Sequence, residues 1–350
     1  MKYWDINKAL SYDSTFIFAL GQRSLGKTYT TLKYCVKQYI KKGAEMVYIR
    51  RYEPELKKVA PYIFDDVASD KELKGYLFRR RGQEYQIAKK PANDEKPEYK
   101  TFCHLLIASQ YQDYKGIPFP NVNNVVWDEY LRETRRPPGY LPDEVAALLS
   151  ILVTIARNRT SVRFFLLSNA CDLVNPLFRF LNINEEPKDG QTRYKLGNLT
   201  KTGDAVTLLM DYIHGADYEA QSLNTLGGAI ASDTKYADLI TSNTFSNAHD
   251  NFIAEKSSIS RFTIAVKYRE SIFALWSDDS TCIYYINEKV PSDKPIYALT
   301  LEDYELNMMA IDKYRPFLQN ISRLYKNGAL RFSAPRLRED FFKMCKLLKI

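Results

Sequence analysis

The chain has 350 residues, 45% apolar and 26% charged, with a formal net charge of +8 and 26 tyrosines. That length supports a core-bearing domain of ordinary size plus a second, smaller one, and the composition is globular rather than disordered or fibrous. No apolar run approaches the length of a bilayer-spanning helix and the first residues lack a signal-peptide core, so a membrane role is set aside and a cytoplasmic protein is expected. The five cysteines are scattered, odd in number and without a C-x-x-C pair, which predicts reduced thiols. His104, His214 and His249 have no metal-ligand spacing with them, so zinc is not expected. The positive charge favours an anionic polymer as partner and does not separate DNA from RNA.

In chain order, Thr15 to Leu20 is an apolar strand-like run, and residues 21 to 28 read GQRSLGKT, a complete G-x-x-x-x-G-K-[ST] phosphate-binding loop. Gly21 and Gly26 permit the tight turn that aims backbone N–H groups of Gln22, Arg23, Ser24 and Leu25 at a phosphate, and the following helix offers its positive end to the same anion. Lys27 is the residue type that reaches β/γ-phosphates, and the Thr28 hydroxyl the type that ligates Mg²⁺. The helix is expected over about 27 to 42, stopped by Lys41, Lys42 and Gly43. Residues 45 to 50 form a second strand, and 76 to 87 an inserted hairpin around Gly82 whose Arg79, Arg80 and Arg81 are either a basic contact or a solvated tip. Residues 101 to 108 resume the sheet.

The run Asn123 to Glu129 supplies the second half of a nucleotide site, a buried strand ending in Asp128, for the metal or its outer shell, and Glu129, placed to polarise an attacking water. A helix from Pro142 to about Ala156 and a strand over 163 to 168, ending at Ser168 and Asn169, complete an alternating pattern. Strands alternating with helices, with the polar motifs at strand C-termini, predict an open parallel α/β sheet. The first domain is placed at 1–200. Glycine and polar residues from 215 to 251 suggest a connector, bounded as 201–250. Three strands at 261–267, 271–277 and 281–286 form an antiparallel meander, followed by helices, in an α+β domain over 251–350.

Together, GQRSLGKT, the run Tyr48 to Leu56, the acid-bearing strand, Asn158 between Arg157 and Arg159, Leu166 to Ala170, and Asn175 with Pro176 resemble the double-stranded-DNA packaging ATPases of small short-tailed bacteriophages. The resemblance continues through Leu299 to Asp303, Asn307 to Met309 and Asn327 to Phe332. It implies an additional-strand P-loop ATPase domain, related to the FtsK/HerA and terminase motors, followed by an RNase H-like domain that has lost its nuclease site. The implied partners are double-stranded DNA, the capsid portal and other copies in a ring, typically a pentamer. ATP and Mg²⁺ are the implied cofactors. The implied location is the host cytoplasm, transiently on the procapsid and not in the mature virion.

By position, Arg157 resembles the family's trans-acting arginine finger, with Arg159 the alternate and a dipole-complementing arginine the ordinary reading of either. Arg23 adds a second loop cation. Ser168 and Asn169 resemble the motif that couples hydrolysis to movement, although such residues also serve as helix caps. A lysine that the family carries after the second strand is absent, since Glu53 stands there. Arg50 and Arg51 remain candidate intersubunit or nucleotide contacts. Lys115 matches a channel-facing loop lysine, and Tyr111 and Tyr114 flank it as DNA contacts or as an ordinary polar loop. The first meander strand carries no acid, so no nuclease activity is expected. Two other readings stand beside the motor: a related helicase, and a nucleic-acid-binding scaffold with a structural nucleotide.

Overall fold

The structure, a computed structural model, describes residues 3–21, 25–92, 95–132, 139–169, 175–181, 183, 187–199, 203–213, 226–231, 251–310 and 315–348. The chain forms two compact units, one of Met1–Asp172 with Pro187–Phe245, the other of Leu173–Glu186 with Ser246–Ile350.

In the first unit the elements run α1 (Ile6–Leu10), β1 (Phe16–Gly21), α2 (Lys27–Lys42), β2 (Glu45–Arg50), α3 (Glu53–Val59), α4 (Asp65–Ala68), β3 (Tyr76–Arg81), β4 (Glu84–Lys89), β5 (Lys100–Ile107), β6 (Val122–Asp128), α5 (Glu144–Ala156), β7 (Arg163–Ser168), β8 (Gly190–Asn198) and β9 (Ala205–Ile213). They build one nine-stranded sheet in the order β3-β4-β5-β2-β6-β7-β1-β9-β8. The six strands from β5 to β9 are parallel. The β3/β4 hairpin and β8 add antiparallel edges. Parallel strands are covered on both faces and so read as continuous apolar runs; β1 is buried at all six positions. Strand β7 lies between β1 and β6, the place where the resemblance to packaging ATPases implies an additional strand.

The helices that cover the sheet follow from handedness. The step from β1 to β2 goes one way across the sheet and the step from β6 to β7 goes the other, so right-handed crossovers put α2 and α5 on opposite faces. Helix α2 buries Leu32, Cys35 and Val36 against Met46, Tyr48, Val126 and Phe165. It ends where Gly43 turns left-handed (φ 69°) and donates its N–H to Tyr39 O. Helix α5 turns Ala147, Leu148, Ile151 and Ile155 inward. Burying each such aliphatic side chain contributes roughly 1.5–3 kcal/mol.

The first unit does not stop near residue 200. Strand β9, which pairs in parallel with all of β1, occupies 205–213. A boundary drawn at the change in composition misses it because membership of a sheet is decided by pairing, not by local polarity. Most of the expected connector, and with it His214 and His249, lies outside the described residues, as does Cys171. Cys35, Cys103, Cys282 and Cys345 are free thiols.

In the second unit, α6 (Pro176–Phe180) is followed by β10 (Arg261–Tyr268), β11 (Ser271–Asp278), β12 (Ile283–Asn287), β13 (Ile296–Ala298), β14 (Met309–Ala310), α7 (Arg315–Lys326), β15 (Leu330–Phe332) and α8 (Pro335–Leu348). The sheet order is β14-β13-β10-β11-β12-β15. The expected meander is β10-β11-β12. Beyond it, β13 runs parallel to β10 and β14 parallel to β13, giving a mixed sheet. Strands of two or three residues such as β13 to β15 are too short to leave a periodic signal. The core is Val266, Phe273, Leu275 and Ile286 against Leu337, Phe341 and Met344.

Asp278, at the end of β11, accepts from the Ser280 and Ser257 hydroxyls at 2.6 and 2.7 Å. These bonds hold its pKa down at about 2. A depressed carboxyl stabilises the fold above its unfolded value of about 4, and that contribution disappears as pH falls through 2. Asp278→Asn is therefore expected to lower the melting temperature at pH 7, with the difference from the parent protein shrinking as melts are taken from pH 5 toward pH 2.

Candidate active site

The phosphate loop is built where β1 ends. Gly26 takes the left-handed conformation (φ 72°) as N-cap of α2, and a Cβ there would come within 2.8 Å of the Tyr3 ring. At Gly21 a Cβ would meet Leu25 Cδ1 at 2.9 Å and Ile213 Cβ at 3.1 Å. Only glycine fits either position, which is why the motif needs both. The Lys27 ammonium, nearly buried, donates to Gly21 O at 2.8 Å and to Asn169 Oδ1 at 3.4 Å. Gln22, Arg23 and Ser24 lie outside the described residues. The Trp4 N–H donates to Leu25 O at 2.9 Å and its indole to Asp211 Oδ2 at 2.8 Å, tying the loop to β9. Burial raises the Asp211 carboxyl against those bonds.

The two halves of the site meet across β7. Thr28 Oγ1 donates to Asp128 Oδ1 at 3.1 Å, and the Tyr48 hydroxyl donates to Asp128 Oδ2 at 2.8 Å. Burial and the neighbouring Asp128 charge push the Tyr48 phenol well up, so it stays a donor. Arg50 donates from Nε to the Tyr48 hydroxyl at 3.1 Å, lies 3.9 Å from Asp128 and pairs with Glu129 Oε2 at 2.6 Å. Burial opposes the Arg50 charge, but Tyr48, Asp128 and Glu129 outweigh it and its pKa lies above the ordinary value. Glu129 is mostly exposed and holds a left-handed backbone (φ 53°), a strained state for a side chain of this size.

That strained turn is pinned from behind. Arg51 is buried against a fully buried Glu144, with Nε and Nη2 2.8 and 2.7 Å from Oε1. It also donates to Glu129 O at 3.4 Å and to Tyr130 O. The second Glu144 oxygen accepts from Leu141 N at 2.8 Å. Ser168 Oγ accepts from Leu131 N at 2.9 Å, so the last residue of β7 grips the chain just past the twin acids, while Asn169 faces Lys27.

The arginines beyond α5 sit at the opposite edge of the sheet. Helix α5 runs 13 residues back from the acids, so Arg157 at its C-cap is on the order of 20 Å from its own phosphate loop. Arg157 has φ 49° and ψ −112°, a strained conformation for an L-residue, and its exposed guanidinium reaches Gly116 O at 3.3 Å. Arg159 is spent locally: it donates to Phe119 O, Pro120 O, Val122 O, Asn123 Oδ1 and Ile155 O at 2.6 to 3.1 Å. Burial and Arg157 lower its pKa. Lys115 is exposed beside Arg157, in a cleft that Val153 also lines.

Several expectations change. Tyr114 is buried and its hydroxyl accepts from Ile107 N at 2.9 Å, so it supports the loop instead of facing a polymer; Tyr111 is half-buried. Arg50 and Arg51 are committed to Glu129 and Glu144 of their own chain and do not project toward a neighbour. Glu53 pairs with Lys57 on α3 at 2.8 Å. Arg79 is a strand-edge arginine, bonded to Gln86 at 2.9 Å and stacked on Tyr99. Tyr48 was not expected in the site, yet it and Arg50 alternate onto one face of β2 while Arg51 points to the other, a period-two signal present in the sequence. The oxygen set of Thr28 and Asp128 suits Mg²⁺, a hard cation, beside a cradle that any Cβ would fill.

Residues 1–350 match the family described as podovirus DNA encapsidation protein (Gp16). The chain is 32% identical over 351 residues to the DNA packaging protein of Bacillus phage phi29, covering 99% of this chain and 98% of that protein. It is 30% identical over 344 residues to the DNA packaging protein of Bacillus phage B103, covering 97% and 99%. Among solved structures it resembles a chain of the bacteriophage Phi-29 viral genome packaging motor assembly, with a TM-score of 0.74 and 28% identity over 99% of this chain and 100% of the other.

Removing one partner of the Arg51 and Glu144 pair strands a charge in the core. Glu144→Ala is expected to cost about 3–5 kcal/mol in urea unfolding, as for buried ion pairs elsewhere. A loss below about 1 kcal/mol, the level of an exposed pair, would show that the two groups do not need each other.

Proposed function

Because the chain belongs to the podovirus DNA encapsidation protein (Gp16) family, we propose that it is the ATP-hydrolysing motor that drives double-stranded viral DNA through the portal into a preformed capsid. It acts in the host cell as a ring of copies, with five the expected number, and fires ATP at the boundaries between them. The observation that carries this reading is the 3.1 Å contact between Thr28 of the phosphate loop and Asp128 of the acid-bearing strand, which unites two motifs a hundred residues apart.

The roles follow from the geometry. Backbone N–H groups after Gly21 hold the triphosphate, and Lys27 exchanges its contact with Gly21 O for β/γ-phosphate oxygens. Thr28 and Asp128 would hold Mg²⁺, which would supply charge neutralisation on the phosphates. Glu129 takes the proton of the attacking water, for which its carboxylate must turn from Arg50. Arg157 cannot act on its own nucleotide and instead stabilises the transition state on the next subunit, whereas Arg159 would have to give up five hydrogen bonds to do so. Ser168 and Asn169 join the acid-bearing segment to the phosphate-binding lysine, a route for coupling hydrolysis to movement. Lys115, with Tyr111 beside it, contacts DNA phosphates without reading sequence, as a motor that traverses a whole genome requires.

The second unit is read as a docking domain. Asp278 is saturated by serines, Asp303 accepts from Thr300, and Asp340 accepts from Ser271 at 2.7 Å and pairs with Arg179 at 3.0 Å. Carboxylates held in separate structural sets do not converge as two-metal cleavage demands.

Mixed-subunit kinetics test the motor reading. Lys27→Ala should abolish nucleotide binding, and Glu129→Gln should bind ATP yet lose turnover by about 10²–10⁴-fold. Mixing Glu129→Gln with Arg157→Ala subunits should restore part of the DNA-stimulated rate, since each supplies what the other lacks. No recovery at any ratio would remove the trans role, and turnover persisting in Glu129→Gln would remove the general base.

A further inference from the structure

We propose that the outward face of α5 is the surface on which a second copy of this chain seats, so that one helix both binds the neighbour and delivers Arg157 to its nucleotide. The inference rests on the trans reading of Arg157 above and adds the surface that makes that reading physically possible.

The first observation is chemical. From Glu144 to Ala156 the helix reads EVAALLSILVTIA, and its one ionisable side chain, Glu144, points inward to Arg51. A helix that covers a sheet normally shows charge to water. Helix α2 does so with Lys33, Lys37, Lys41 and Lys42. On α5 the outward positions are Ala146, Leu149 and Val153, spaced three and four residues apart, with Leu149 40% and Val153 68% exposed. A stripe that is apolar on the outside as well as the inside is built to be covered.

The second observation is where the stripe leads. It runs into Arg157, beside a cleft of about 360 Å³ lined by Lys115, Gly116, Ser150, Val153, Thr154 and Arg157. Arg157 lies at the edge of the sheet away from its own cradle, so a phosphate that it meets belongs to another molecule. A second copy that receives Arg157 would therefore sit next to the end of this stripe.

Charge selects the same partner. The stripe ends in the exposed Arg157 cation, and the cradle of another copy presents a triphosphate and the exposed Glu129 carboxylate. Apolar stripe and cationic tip thus match one occupant, a second copy approaching with its nucleotide edge. The strained Arg157 backbone fits this reading, because a conformation held against its own preference is retained where it aims a side chain.

The test places the photo-crosslinking residue p-benzoylphenylalanine at position 153 of the full chain, in the presence of duplex DNA and an unhydrolysed ATP analogue. Crosslinks to another copy near its phosphate loop are expected. Crosslinks confined to the same chain, whether to residues 214–250 or to the second unit, would overturn the proposal. In parallel, Val153→Glu should leave affinity for a fluorescent ATP analogue within about two-fold of the parent while lowering DNA-stimulated turnover by about ten-fold or more, as for a central interface position. Val153→Thr, similar in shape and uncharged, should retain most of the rate. Parent-level turnover in Val153→Glu would also overturn it. Arg157→Ala separates the two ideas: lost turnover with the position-153 crosslink intact supports both the finger and the docking face. Lost turnover in Arg157→Ala together with an unaffected Val153→Glu removes the docking face alone, and retained turnover in Arg157→Ala removes the finger itself.

Discussion

The site depends on one constraint, the parallel register that ends β1, β6 and β7 at a common edge. Leu20 is level with Ser168, and Asp128 with Leu167. Because β7 stands between the other two, the phosphate loop and the acid-bearing strand are two strand spacings apart, about 10 Å. The first turn of α2 bridges that gap and brings Thr28 to Asp128. A second inserted strand would carry the two motifs out of reach of each other.

Behind this edge lies a layer of buried charge. Arg51 and Glu144 are removed from water on a face otherwise packed with Val125, Trp127 and Phe164, and such pairs seldom add net stability over an apolar alternative. Their value here is positional. Arg51 donates to two successive backbone carbonyls, those of Glu129 and Tyr130, just where the chain adopts its unfavourable left-handed turn. The core thus holds the Glu129 backbone, while the Glu129 side chain remains exposed.

Strained backbone sits at both ends of the sheet. Glu129 and Arg157 are two of five described non-glycine residues with positive φ, the first just after β6 and the second at the end of α5. Each is also braced by other groups, Glu129 by Arg51 and Ser168, and Arg157 by the Arg159 clamp that fastens residues 119–123 to the end of α5. Rigid surroundings of this kind are what keep a strained backbone in place.

Much of this was readable in one dimension. The loop GQRSLGKT, the strand ending in Asp128 and Glu129, the helices after Lys27 and Pro142, and the hairpin around Gly82 are local patterns whose spacing reflects backbone geometry, and they determined nucleotide chemistry, α/β class and the resemblance to packaging ATPases. The partners of Tyr48, Arg51 and Tyr114, the membership of β9 and the different surroundings of Arg157 and Arg159 are visible only in three dimensions. Each depends on a partner far away in the chain: Asp128 for Tyr48, Glu144 for Arg51, β1 for β9, and the carbonyls of residues 119–122 for Arg159. A residue's type records what chemistry it is capable of, whereas burial and distant pairing decide whether that capacity faces a ligand, a neighbour or the core.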